Sequence, residues 1–321
     1  MAWAASTVRA LNSRQKAYLE FCDLYDKTPL PASTQTLALF SVYLVASGRI
    51  QSAASVKQYL SSVRTMHRAN NSDCATPKSS PELEFTLSGI ARHLAKPPKR
   101  MSPITPEILR HLLEFPNVTS NSIPWHLRAT IEVIRSFYVV LFFSMVRVSS
   151  LVPNSSGGYD PRRQLTWDKV TIFPDGAVLE LTLTKTIQNA GRTHEVALAH
   201  VPNSIFCPVT ALKWMAEIRG ECLSGYPVFA IPTLNGWVPL SRYHVDVLLT
   251  MQIQAAGLEP SKFKFHSFRR GAIQLAIRLE PRLHLIRLQS DHSSNAFEAY
   301  CALPARTRFD LTEKMIGGSG V

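Results

Sequence analysis

Apolar positions recur at intervals of three and four through most of the first hundred residues, the signature of helices with one packed face. The pattern predicts helices over Thr7–Cys22, Thr34–Ala46, Ala53–Arg68 and Pro81–Leu94, separated by turn-rich stretches such as Asp26-Lys-Thr-Pro-Leu-Pro and Asn70-Asn-Ser-Asp. In the third of these, Val56, Tyr59, Leu60 and Val63 form an apolar stripe, while Lys57, Arg64 and Arg68 fall on another. The second stripe is either an ordinary solvated face or a surface for anions. Lys96-Pro-Pro-Lys-Arg-Met-Ser-Pro then ends the helical run, because proline lacks an N–H and its ring clashes with the preceding turn. The expected organisation is a helical domain over residues 1–99, a second domain over 100–316 and a flexible tail over 317–321.

The second domain opens on a helix start, with Thr105 as N-cap, Pro106 at the first helical position and Glu107 near the positive dipole end. A long apolar helix is expected from about His126 to Leu151, with Arg147 in its last turns. The period then shortens to two. Segments Leu165–Phe173, Ala177–Lys185 and Arg192–Ala199, divided by Pro174-Asp-Gly and Gln188-Asn-Ala-Gly turns, predict a small three-stranded antiparallel sheet. Helical patterns resume at Pro208–Arg219, Ser241–Ala256, His266–Leu279 and Ser294–Ala302. The fold class is therefore mainly α with a small antiparallel β-sheet.

Charge narrows the possible partners. Against 23 acidic residues stand 35 lysines and arginines in a chain of 321, a net charge of +12, which favours a polyanion, nucleic acid first. The longest apolar run, Phe137–Val146, is shorter than the ~20 residues a spanning helix needs, so it reads as core and no membrane partner is expected. The opening Met-Ala-Trp-Ala-Ala-Ser has no charged leader ahead of an apolar stretch; the chain is expected to remain inside the cell. Five scattered cysteines, none in a C-x-x-C pair, argue against a disulfide framework and a zinc site.

Three features carry candidate chemistry. His266 and Arg269, three apart on an expected helix, share a face and can converge on one anion, although an isolated H-x-x-R pair more often describes a core histidine beside a surface arginine. Lys185 extends the Leu179, Leu181, Leu183 side of its expected strand, either as a snorkelling end residue or as a functional amine. Arg147 follows a bulky apolar run, where a buried guanidinium needs an anion or a carboxylate.

Taken in order, these residues resemble the tyrosine recombinases, and especially the eukaryotic mobile-element branch related to Crypton, DIRS and Ngaro elements. Met145-Val-Arg147-Val-Ser-Ser-Leu is similar to the family's G-L-R-x-S-E-L segment, Leu183-Thr-Lys185-Thr-Ile-Gln to its hairpin lysine segment, and His266-Ser-Phe-Arg269-Arg-Gly to its H-x-x-R box. Asp291-His292-Ser-Ser294-Asn-Ala296-Phe-Glu-Ala-Tyr300 is similar to its last box. The resemblance covers about Pro103–Leu303 closely and the first hundred residues, as a helical core-binding domain, less so.

The resemblance implies a DNA strand-cleaving and rejoining enzyme that needs no metal or other cofactor, with Tyr300 as nucleophile, Arg147, Arg269, His266 and His292 around the phosphate, His266 also as proton acceptor and Lys185 as general acid. It implies double-stranded DNA as partner, held in a clamp to which Lys57, Arg64, Arg68, Arg192 and Arg270 contribute contacts. It also implies a homo-oligomer, dimer to tetramer, assembled on DNA through residues after Tyr300, and a nuclear site of action. Two departures stand out: Ser150 occupies a position where many relatives carry an acid, and the glycine often found before the second histidine is absent. The competing readings are a type IB topoisomerase, a domesticated non-catalytic DNA-binding protein and, with no D-D-E grouping to support it, a metal-dependent nuclease.

Overall fold

The computed structural model describes residues 5–95, 101–115, 123–184, 193–220, 224–279 and 282–291. The chain divides into two compact units, Met1–Lys99 and Arg100–Val321.

The first unit packs four helices, α1 (Ala5–Leu24), α2 (Thr34–Ala46), α3 (Ala53–Ala69) and α4 (Pro81–His93). Three of them start where a hydroxyl can satisfy an open backbone N–H: Ser33 accepts from Thr36 N at 3.0 Å, Ser52 from Ser55 N at 3.3 Å and Ser80 from Leu83 N at 3.3 Å. Between them Tyr18, Phe40, Leu37, Val56, Val63 and Leu83 are buried. The expected stripe of α3 packs as read, with Tyr59 half-buried at its edge, while Lys57 and Arg68 are exposed and Arg64 is half-buried. His67 is fully buried and keyed on both ring nitrogens, to Ala32 N at 2.8 Å and Val63 O at 2.9 Å.

The second unit is built around α6 (Trp125–Ser144), whose Phe137, Tyr138, Val140 and Leu141 have no exposed surface. Around it lie α5 (Pro106–Glu114), α7 (Pro208–Arg219), α9 (Phe265–Leu279) and the edge of a hairpin, β4 (Ala230–Thr233) and β5 (Gly236–Pro239). A three-stranded antiparallel sheet, β1 (Val170–Ile172), β2 (Gly176–Leu181) and β3 (His194–Ala199), pairs in sequence order, with Leu179 opposite Val196 and Leu181 opposite His194. The remaining helices are α8 (Arg242–Ala255), packed on α5, and α10 (Leu283–Ser290), packed on α9 and β3.

Several expectations need correction. The long helix ends at Ser144 rather than Leu151: Met145 adopts a left-handed conformation with φ of 55°, and Arg147 lies beyond it, ahead of a single 3-10 turn, Val148–Ser150. Apolarity misleads because Val146, Leu151 and Val152 remain buried although the chain has left the helix. The first strand is shorter than Leu165–Phe173, since Leu165 O accepts from Val228 N at 3.2 Å and Trp167 N donates to Tyr226 O at 3.1 Å, tying those residues to another segment. The second strand stops at Leu181, so the alternation argument does not reach Lys185. The β4–β5 hairpin and α10 have no counterpart in the sequence expectation. The expected helix Ser294–Ala302 lies outside the described residues.

Candidate active site

Arg147, His266 and Arg269 come from segments more than a hundred residues apart and meet where α6, α9 and α10 join. The H-x-x-R pair sits in the first turns of α9, so both side chains leave one face of that helix. Arg269 is buried, and its guanidinium bridges two helix ends: Nη1 donates to the carbonyl of Met145, just past α6, and Nη2 donates to Ser290 O, the end of α10, at 2.6 Å. A planar fork suits this double anchorage, which a lysine ammonium does not reproduce. Ile273 and Ile286 close a small apolar cluster beneath it, joining α9 to α10.

His266 keeps much of its surface open, and its imidazole is held below the usual histidine range. Partial desolvation is the largest cause, followed by the fields of Arg269, Arg270 and Arg147. A less basic imidazole near three arginines can accept a proton in surroundings that favour an anion.

Arg147 has the carboxylate partner that its surroundings require. Its Nη1 lies 3.9 Å from Oδ2 of Asp291, with 28% of the arginine side chain and 5% of the aspartate side chain exposed. The same Oδ2 accepts a hydrogen bond from Thr184 Oγ1 at 3.1 Å. Asp291 thereby links the turn after α6, the segment leaving β2 and the end of α10. In the sequence Asp291 reads only as the first residue of its box, with no role of its own; an acid next to His292 is the available signal. Ser150, at the position where an acid is expected, is buried, and its backbone N–H donates to Arg147 O at 2.9 Å.

Gly271 has a steric reason to follow the pair of arginines. A Cβ there would lie 1.7 Å from Ile104 O, because α9 and residues 102–104 run in contact. Ile104 N donates to Ser267 O at 2.9 Å and Ser102 N to Lys262 O at 2.8 Å. Arg270, expected to contact DNA, is half-buried and donates through Nη1 to Met101 O at 3.1 Å. Among the residues expected to serve the site, Lys185, Arg192, His292 and Tyr300 lie outside the described residues; Thr184 and Asp291 are the covalent neighbours of Lys185 and His292.

No family model matches the chain. A curated relative, the integrase/recombinase XerD homolog of Selenomonas ruminantium, is 24% identical over 296 residues, covering 91% of this chain and 79% of that protein. A lambda integrase dimer bound to a COC′ core site superposes with a TM-score of 0.56 at 16% identity, covering 93% of this chain and 89% of that one. The chain shares the fold of lambda integrase and is similar in sequence to an integrase/recombinase. A second structure of this fold, the Tn1549 transposon integrase in complex with circular intermediate DNA, gives a TM-score of 0.53 at 14% identity and covers 88% of this chain and 86% of its own.

Among the described residues no helix is long and apolar enough to cross a membrane, and no three His, Cys, Asp or Glu side chains gather as a metal site.

Proposed function

We propose that the chain is a site-specific DNA recombinase that cleaves one strand through a 3′-phosphotyrosyl link on Tyr300 and then rejoins DNA ends. The carrying observation is the convergence of Arg147, His266 and Arg269 in a chain of this fold. A tyrosine hydroxyl, with a pKa of about 10, is a weak nucleophile at neutral pH, and a phosphodiester repels its anion. His266 accepts the phenolic proton as Tyr300 Oη attacks phosphorus. Arg147, Arg269 and His292 offset the charge that develops on the non-bridging oxygens. The bond to the 5′ oxygen breaks, and Lys185 supplies the proton that makes this oxygen a free hydroxyl. Attack by a 5′ hydroxyl on the phosphotyrosine reverses the sequence on a new partner end, so neither metal nor nucleotide is consumed.

Double-stranded DNA is the partner, and the first unit contributes phosphate contacts through Lys57, Arg64 and Arg68, with Arg192 and Arg270 contributing from the second. The DNA-bound lambda integrase dimer supports self-assembly on DNA. The residue pattern of 291–300 favours integration and excision of a mobile element of the Crypton, DIRS and Ngaro branch, and with it a nuclear site of action.

The test uses a pool of nicked duplexes with randomised cores, incubated in EDTA with the protein and with Tyr300→Phe. A denaturant-resistant protein–DNA adduct that the substitution abolishes is the expected result. Binding without any adduct would assign the chain to non-catalytic DNA-binding proteins instead.

A further inference from the structure

The structure assigns Asp291 a positioning role: its buried carboxylate aims Arg147 at the reacting phosphate. This rests on the recombinase reading above. Asp291 is 7% exposed as a whole residue, yet it holds a charge, which is costly unless a cation and hydrogen bonds compensate. Both are present, with Arg147 Nη1 at 3.9 Å and Thr184 Oγ1 at 3.1 Å on a single oxygen.

Backbone conformation adds an independent observation. Asp291 has φ of 50° and ψ of 47°, left-handed at the C-terminal cap of α10, a conformation glycine adopts without penalty. Glycine would terminate α10 more comfortably. A side chain kept there despite its backbone preference has work to do, and its contacts indicate what that work is.

Three further constraints converge on the same place. Ser290 O, the carbonyl immediately before Asp291, accepts from Arg269 Nη2. Gln289 Nε2 donates to Ala197 O at 2.8 Å, and His194 Nε2 contacts Gln289 O at 3.2 Å, so β3 holds the same turn. Arg147 and Arg269 are thus fastened to successive residues of one helix end, Arg269 through a main-chain carbonyl and Arg147 through a carboxylate. Removing the carboxylate leaves the first link in place and releases the second.

The experiment compares Asp291→Gly, Asp291→Asn and the parent for DNA affinity, thermal stability and the single-turnover rate of adduct formation on the nicked duplexes. Asp291→Gly suits the left-handed backbone, so folding should survive. Affinity should change by less than threefold while the cleavage rate falls by about 10²-fold, the cost of misplacing a reacting group by roughly 1 Å. Because Asp291 acts through Arg147, its substitution should slow cleavage by less than threefold further in an Arg147→Lys background. Equal cleavage rates for the parent and a folded Asp291→Gly would overturn the positioning role and leave the recombinase reading intact, as would fully additive losses with Arg147→Lys. A parent protein that binds the duplexes and never forms an adduct overturns both.

Discussion

At the scale of single residues, one imidazole gives the site a pH signature. His266 binds a proton less readily in the folded protein than its ordinary value of 6.5 implies, chiefly through desolvation and then through three neighbouring arginines. Below that pH the unfolded chain binds more protons at this residue than the folded one, so its contribution to stability falls as the pH drops through 6.5 and towards the lowered folded value. The neutral base also survives to a more acidic pH than an ordinary histidine. Rates of adduct formation should therefore hold at pH 6.5 and decline only below it, with the acid limb moving upward in Arg270→Gln, which removes one cation from the field. An acid limb at 6.5 or above in the parent would contradict the lowered basicity. Chemistry-bearing residue types are legible at this scale, because each has a distinctive identity and order: Arg147 and the His266, Arg269 pair all stand out in the sequence. Asp291 does not, because a carboxylate's partners are set by tertiary contact across 107 and 144 positions, to Thr184 and Arg147, and no local period encodes them.

At the scale of elements, a buried polar knot holds α5, α6 and α8 in register. Tyr138 Oη donates to Gln252 Oε1 at 2.9 Å, and Gln252 Nε2 donates to Leu112 O at 2.7 Å and Phe115 O at 2.6 Å. Gln252→Leu leaves these groups without that partner, and at about 1–3 kcal/mol for each buried polar group so stranded the loss should be roughly 3 kcal/mol or more. Chemical denaturation measures it; a change under about 1 kcal/mol would mean the knot contributes little to stability. Elements with strong start and stop signals are legible at this scale. α2 and α7 have the bounds that periodicity predicts, and Thr105 caps α5 through Ile108 N at 3.3 Å with Pro106 following. The β4–β5 hairpin is not legible, since Pro232 and Pro239 interrupt two four-residue strands and leave little alternation to detect. α10 escapes for a related reason: Leu283, Leu285 and Leu288 are exposed while Ile286 is buried, so its apolar residues do not mark one face.

At the scale of the whole molecule, the net charge of +12 favours a polyanion as partner. Lys57 and Arg64 line a groove of about 700 Å³ between α3 and α4 together with Lys78, and Arg68 is exposed on α3. Phosphate binding reveals itself in salt dependence, because each duplex phosphate that a cation neutralises adds about 0.9 to the logarithmic slope. Replacing Lys57, Arg64 and Arg68 by alanine should weaken binding to duplexes of any sequence and reduce that slope by roughly 2 to 3, measured by anisotropy between about 50 and 200 mM salt. An unchanged slope would return the stripe to the status of an ordinary solvated face. The sequence places a boundary at Lys96-Pro-Pro-Lys-Arg because a proline cluster cannot continue a helix.

The most direct test of the central claim is the chemical identity of the protein–DNA link. The protein, trapped on a nicked duplex in EDTA, would be digested with protease and nuclease, and the nucleotide-bearing peptide sequenced by mass spectrometry. The expected product is a nucleotide joined through its 3′ phosphate to Tyr300, with a free 5′ hydroxyl on the departing strand. A 5′-phosphate link, or attachment to any other residue, would contradict it.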